Sequence, residues 1–352
     1  MKDSNPKVTV VIPAYNSSKY IEETINSILN QSFNDFELLI INDCSNDDTL
    51  EIINSYKDNR IRVFSNEKNM GITPTRNRGL ELAKGKYVTF MDHDDIAPLY
   101  KFEKQVAFLD KNPDIGIYGG SWKFFGDKSL LIKVPNYHED IRVFSIFHCP
   151  FGSSTVMARK SMLNKYNLKY DANYPCSEDY DLWVHCLKHF KGANSDEIFL
   201  YYRIHENQAS NKRSEILRNS DKKIKENILK ELIPDITEDE LEQHIFIAKK
   251  YNVGKTINDI KKAINWINRI YDANDEKKIY SQDELHSFLK KVVYFLFYNA
   301  HYDGLKVYNE YKKSIFSTDE GKKKLFDACF RAERKNIKRK IKRFLGFNMQ
   351  LT

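Results

Sequence analysis

The chain has 352 residues, 41% hydrophobic and 13% aromatic, enough to bury a full core and too apolar for general disorder. Its five cysteines are scattered with no CxxC pair, which points to free thiols in a reducing compartment and away from a disulfide framework or a CxxC-type zinc site. The net charge of +7 belongs to one end: residues 321–352 carry eleven Lys/Arg against two acids, so the first 320 are slightly acidic and nucleic acid is not an expected partner.

In chain order, short and nearly continuous apolar runs at Val8–Ile12, Glu37–Ile41, Ile61–Phe64 and Tyr87–Met91 predict buried strands. Between them, apolar residues at helical spacing predict helices over Tyr20–Asn30, Asp47–Lys57 and Thr73–Lys84. This alternation implies right-handed βαβ units and a mostly parallel sheet with helices on both faces. Ligands of such sheets bind beyond the carboxyl ends of the strands. Here those ends are Pro13-Ala14-Tyr15-Asn16, Asn42-Asp43-Cys44-Ser45 and Asp92-His93-Asp94-Asp95.

The first glycine is Gly71, so the chain has no GxGxxG after the first strand, no Walker A loop and no glycine-rich first loop of a sugar-nucleotide pyrophosphorylase. A nucleotide bound here would be held by side chains and a metal. Three carboxylates within Asp92–Asp95 repel one another. A divalent cation shared with a substrate phosphate would neutralise them, and Mg²⁺ or Mn²⁺ favours such oxygen ligands. A solvated acidic turn before a helix reads equally well from these residues alone.

Five segments taken together resemble glycosyltransferase family 2, the inverting GT-A transferases. They are Val8-Thr9-Val10-Val11-Ile12-Pro13-Ala14-Tyr15-Asn16, Ile41–Thr49, Gly71-Ile72-Thr73-Pro74-Thr75-Arg76-Asn77, Asp92–Asp95 and Ser177-Glu178-Asp179-Tyr180-Asp181-Leu182-Trp183. The resemblance covers about residues 6–210. It implies a GT-A fold of the α/β class, Rossmann-like, with a helical C-terminal region beside it.

It also implies roles. Pro13, Tyr15, Asp43, Arg76 and Asp92 would bind the nucleotide of a nucleoside-diphosphate sugar: Tyr15 stacking on the base, Asp43 accepting its imide N–H, Arg76 near the diphosphate and Asp92 at the ribose. Asp94 would hold Mn²⁺ or Mg²⁺, and His205, within Tyr202-Arg203-Ile204-His205 ahead of Ser210, would approach the same metal. Asp179 would be the base that deprotonates the acceptor hydroxyl, with Glu178 touching the acceptor or donor sugar. Asp95 is expected to cap the next helix and His93 to point away. Cys149–Met157 resembles the acceptor-side stretch, with Ser153 where many relatives carry histidine. The residues also admit a catalytically silent member serving as a scaffold, against which the intact Asp94 and Asp179 weigh.

Residues 1–212 are therefore expected to form the transferase domain, with its nucleotide half to about residue 110. Residues 213–330 should be a helical region and 331–352 a basic amphipathic tail. Arg331–Leu345 sets Ile337, Ile341, Phe344 and Leu345 on one face among eight Lys/Arg, which suits an anionic membrane surface. No basic-then-apolar leader opens the chain, and its longest solidly apolar stretch, Val292–Tyr298, is too short to span a bilayer. The expected setting is the inner face of the cytoplasmic membrane, with a UDP-sugar as donor and a glycan or lipid-linked saccharide as acceptor.

Overall fold

The computed structural model describes residues 5–126, 129–205, 214–249 and 256–348. Ser210 and residues 349–352 lie outside them, as do the side chains of Ile341, Phe344 and Leu345. The chain divides into two compact units: residues 1–145 with 149–225, and 146–148 with 226–352.

The first unit opens β1 (Val8–Ala14), α1 (Ile21–Leu29), β2 (Phe36–Asn42), α2 (Thr49–Ser55), β3 (Ile61–Ser65), α3 (Ile72–Leu82) and β4 (Tyr87–Phe90). The four strands pair in parallel in the order β3-β2-β1-β4, so the expected alternation holds. Every residue of β1, β2 and β4 is buried, which accounts for their unbroken apolar runs. Val8, Val10 and Ile12 of β1 face one apolar cluster, and Val11 faces a second on the other side of the sheet.

Thr9 and Glu37 are polar residues within the runs, and each is satisfied. The Thr9 hydroxyl donates to Glu37 at 2.6 Å, and Arg62 pairs with the same carboxylate at 2.6 Å. Burial alone would raise the Glu37 carboxyl, but the bonds from Thr9, Lys84 and Arg62 bring it below its ordinary range.

After α4 (Lys101–Lys111) come β5 (Ile115–Gly126), β6 (Leu131–Ile132), α5 (His138–Phe144), β7 (Met157–Arg159), α6 (Lys160–Lys165), α7 (Glu178–His189) and β8 (Lys191–Ile204). β7 inserts antiparallel between β4 and β5, while β8 runs parallel to β5, giving eight strands in all. β7 is three residues long and β8 carries register shifts, so neither offered a periodic signal to read.

Gly79 of α3 meets β1 closely: a Cβ there would stand 2.4 Å from Val11 Cγ1. Gly79→Ala is expected to lower stability by about 1–3 kcal/mol despite the better helix propensity of alanine. Urea unfolding checks this, and adding Val11→Ala should recover part of the loss.

The second unit is helical. α8 (Ser214–Leu232) carries the boundary between the units, and α9 (Glu238–Ala248), α10 (Ile257–Lys277), α11 (Gln282–Asn299), α12 (Leu305–Tyr311) and α13 (Asp319–Asn348) follow. Thr237 with Glu240 and Thr256 with Asp259 form capping boxes that start α9 and α10. Buried His244 accepts from Trp266 at 3.3 Å and donates to the Ile146 carbonyl at 2.9 Å, so its ring is fixed as a core group. The basic stretch from residue 331 continues a helix that begins at Asp319. No helix among the described residues is long and apolar enough to cross a membrane.

Candidate active site

β2, β1 and β4 end side by side, which brings the segments after Ala14, Asn42 and Phe90 to one edge of the sheet. The first two are laced together. Asn16 and Cys44 adopt left-handed backbone angles (φ 46° and 60°), the Asn16 amide donates to Ser45 Oγ at 3.1 Å, and Asn46 donates back to Asn16 Oδ1 at 2.9 Å. Asp47 accepts from Ser18 and Thr49; burial opposes its ionisation, but these bonds bring its carboxyl down to about 2. The Pro13 carbonyl meets the His93 ring at 3.3 Å, so His93 bridges the first and third segments.

Tyr15 leaves this edge 43% exposed, as a stacking surface requires. Asp43 is buried beside it and already engaged: Oδ1 accepts from Asn66 at 2.6 Å and the Met70 amide at 2.9 Å, and Oδ2 from the Gly71 amide at 2.8 Å. A carboxylate offers about four acceptor positions, so Asp43 keeps one for a further donor. In this state it chiefly pins the 66–71 turn to the end of β2.

Arg76, from the second turn of α3, is the hub. Its Nη1 donates to Glu178 Oε1 at 2.8 Å and its Nη2 to Asp92 Oδ1 at 2.9 Å, while the guanidinium lies 5.4 Å from the centre of the Tyr170 ring. Burial by itself would loosen its proton; Asp92 and Glu178 outweigh that and hold it above its ordinary range. Residues separated by more than a hundred positions are thus drawn together by one planar fork. Around the hub, Arg76 Nε, Tyr170 Oη, Ser177 Oγ, Glu178 Oε2 and Trp183 Nε1 are buried with no hydrogen-bond partner among the described residues. Folded proteins hold few such atoms, and five of them gather around this one ion-pair hub.

Asp179 stands one residue beyond Glu178 in the first turn of α7, half-buried, with Oδ1 accepting the Tyr180 amide at 2.8 Å. Burial pushes its carboxyl up to about 7; the Glu178 charge adds to the rise and Arg76 opposes it. The protein has therefore built a carboxylate that exchanges a proton near neutral pH on a rigid helix start.

The acidic segment after β4 splits in function. Asp92 turns to Arg76, and its amide donates to Ser154 Oγ at 3.2 Å. Asp94 Oδ2 sits 2.9 Å from His205 Nε2, which comes from the end of β8. Asp95 does not cap α4, which starts at Lys101. Instead it is fully buried, and its Oδ1 accepts the Arg203 amide at 2.9 Å. Burial, then the Asp94 and Asp92 charges, holds its carboxyl well above the usual range. Facing it, fully buried Lys101 donates to the Ser154 carbonyl at 2.6 Å, and burial brings its ammonium down to about 7 against the pull of Asp95 and Asp92.

No group of three or more His, Cys, Asp or Glu poised for a metal occurs among the described residues. The Asp94–His205 pair presents one carboxylate oxygen and one imidazole nitrogen at hydrogen-bonding distance. The carboxylate suits Mg²⁺ or Mn²⁺, whose sites commonly use one or two carboxylates with substrate phosphates completing the shell, and the imidazole is the softer donor of the two.

Four residues that shape this site escaped the sequence reading. Arg203 donates to the Asp94 carbonyl at 2.8 Å and to Glu23 at 2.8 Å, with its guanidinium between the Tyr20 and Phe125 rings. Lys101, Tyr170 and Asn66 are the others. The one available signal was Arg203, two residues before His205; a lone lysine, tyrosine or asparagine announces nothing.

A family model described as glycosyl transferase family 2 matches residues 9–167. An uncharacterized glycosyltransferase of Haemophilus influenzae is 35% identical over 237 residues, 63% of this chain and 73% of its own length. The Escherichia coli UDP-Glc:alpha-D-GlcNAc-diphosphoundecaprenol beta-1,3-glucosyltransferase WfaP is 32% identical over 217 residues, 60% of this chain and 84% of its own. The crystal structure of S. aureus TarS 1–349 in complex with UDP-GlcNAc is similar with a TM-score of 0.54 at 20% identity, covering 94% of this chain and 92% of that one; this likeness concerns the fold. The order and spacing of the motifs, the sheet they end on and these relatives agree: the chain belongs to glycosyltransferase family 2, on a GT-A fold.

Proposed function

We propose that the chain transfers a sugar from a UDP-sugar to a hydroxyl of a glycan or lipid-linked saccharide, inverting the anomeric centre, in the assembly of a bacterial cell-surface polysaccharide. The observation that carries this reading is Asp179, a half-buried carboxylate brought to about 7 at a helix start and joined through Glu178 and Arg76 to the strand-end segment of Asp92. A base with a pKa near the working pH is best matched to taking a proton from an attacking hydroxyl.

In this mechanism Tyr15 stacks on the base, Pro13 lines the same edge, and the remaining acceptor position of Asp43 takes the imide N–H of uracil. Asp92 meets the ribose, while Arg76 keeps Asp92 and Glu178 in register and supplies a permanent cation beside the diphosphate. Asp94 and His205 are the residues to hold Mn²⁺ or Mg²⁺, whose chemistry when bound is Lewis-acid stabilisation of the departing diphosphate. Asp179 accepts the acceptor's proton as its oxygen attacks the anomeric carbon, and Glu178 faces a sugar hydroxyl. The relatives' names support the substrate classes: WfaP uses UDP-Glc and a diphosphoundecaprenol-linked sugar, and TarS was crystallised with UDP-GlcNAc.

The test is a screen of UDP-glucose, UDP-galactose and UDP-N-acetylhexosamines for nucleotide release with a lipid-linked saccharide acceptor. Turnover is expected with Mn²⁺ or Mg²⁺ and should be lost on adding EDTA. No release from any donor, or release indifferent to EDTA, removes the metal-dependent reading.

Residues 1–212 are taken as the transferase domain and 213–330 as a helical adjunct. The basic segment from residue 331 is taken to rest on the inner face of the cytoplasmic membrane. Replacing Lys338, Arg339, Lys340, Lys342 and Arg343 by Gln should weaken binding to anionic vesicles at least about a hundredfold, since each basic residue near such a surface contributes about 1 kcal/mol. UDP binding should be unchanged. Vesicle flotation decides it, and equal binding by the substituted protein refutes the membrane contact.

A further inference from the structure

A groove of about 620 Å³ opens in the first unit, with Phe108, Tyr118, Asn136, Tyr137, Asp196 and Glu197 among its walls. β4 and β7 are antiparallel, β7 and β5 are antiparallel, and β8 is parallel to β5, so β5 and β8 point the same way as β4. The groove is built around the beginnings of β5 and β8, at Ile115, Gly192 and Ala193. It therefore lies toward the edge of the sheet opposite Asp92–Asp95, apart from the catalytic crevice.

Its charges cancel locally. Asp196 pairs with Lys133 at 3.2 Å and accepts from Asn136 Nδ2 at 3.3 Å, and Glu197 pairs with Lys104 at 2.5 Å. His138, which accepts the Gly192 amide at 3.3 Å, is held below its ordinary range by burial. A wall with each carboxylate matched by a lysine gives little attraction to a phosphate or a metal ion.

What remains is hydrogen-bonding capacity and aromatic surface. The amide and the carboxylates are planar groups that can each bridge neighbouring hydroxyls. Tyr118 is buried with Phe108 stacked on it at 3.8 Å and 13°, so the aromatic group most open to a ligand is Tyr137, 77% exposed on the rim. One exposed ring beside amides and neutralised carboxylates matches the two sides of a pyranose, its C–H face and its hydroxyl edge. The volume lies in the range of small-ligand sites.

We propose that this groove is a second saccharide site, which binds a neutral oligosaccharide independently of the crevice. For an enzyme acting on a glycan, it would hold a stretch of sugar away from the reacting end.

The test is isothermal titration of the full chain with chitotriose, cellotriose and maltotriose, with UDP and Mn²⁺ present to occupy the nucleotide part of the crevice and the Tyr137 variants to separate the groove from the acceptor part. At least one trisaccharide should bind. Tyr137→Ala should weaken that binding about tenfold, the scale of one lost aromatic contact, Tyr137→Phe should retain it, and the UDP affinity should be the same in all three proteins. Tyr137 is exposed, so its removal leaves the fold intact. Absence of binding by all three trisaccharides, or an unchanged affinity in Tyr137→Ala, overturns the proposal. Because no turnover is measured, either result is independent of whether Asp179 is the base.

Discussion

Asp179→Asn is expected to lower kcat by roughly a hundredfold to ten-thousandfold, the usual contribution of a positioned general base, with the UDP dissociation constant unchanged. The wild-type rate should fall tenfold per pH unit below about 7 and level above it, because the carboxylate form must accept the proton and burial, followed by Glu178, sets its midpoint there. The variant's residual rate should be flat across that range. A full rate in Asp179→Asn would refute the base assignment.

The same shift has a stability sign. A carboxyl whose folded pKa lies above its ordinary value of 3.8 binds a proton more tightly in the fold. Its favourable contribution is complete below that value and is lost as pH rises to about 7. At pH 8 the asparagine variant should therefore be more stable than the wild type, on the order of 1–2 kcal/mol once solvent screening of a half-buried group is allowed for. Urea midpoints should show the gap between the two proteins opening from about pH 4 and growing until about pH 7, so that it is larger at pH 8 than at pH 5. Gain of stability with loss of activity is the pattern of a site strained for function.

Arg76→Met should be the most disruptive single change in the crevice. It leaves Glu178 buried without its cation and releases Asp92, and removing one member of a buried pair costs about 3–5 kcal/mol. Asp92 is 31% exposed and can be hydrated, so the lower end is expected. Adding Glu178→Leu to Arg76→Met should restore most of the urea midpoint while leaving donor turnover undetectable. If Arg76→Met alone unfolds at the wild-type midpoint, the guanidinium is not what holds this cluster.

The parallel half of the fold was readable because β1, β2 and β4 are buried on both faces, the half-buried edge strand β3 is still mostly apolar, and the helices between them carry apolar stripes; the observed bounds of β1 to β4 differ from the expected ones by at most two residues. The second half was hidden. β7 is too short for a pattern, and the bulged β8 alternates imperfectly. Of the candidate residues, those following strand ends came from the alternation, while Asp179 and His205 came only from resemblance. Asp95 was misread because an aspartate near a helix start looks like a cap. Its burial depends on Arg203 and Lys101, neither of which periodicity can connect to it.

The clamp at the end of β8 has a consequence for the order of assembly. Arg203 and His205 bond to Asp94 across 109 and 111 residues of sequence. Closing so long a loop is entropically slow, and non-local contacts form late. During synthesis the first four strands can therefore pair well before the acidic segment acquires its fixed geometry. The Asp94–His205 pair should be among the last parts of the crevice to form, arriving only when β8 docks alongside β5.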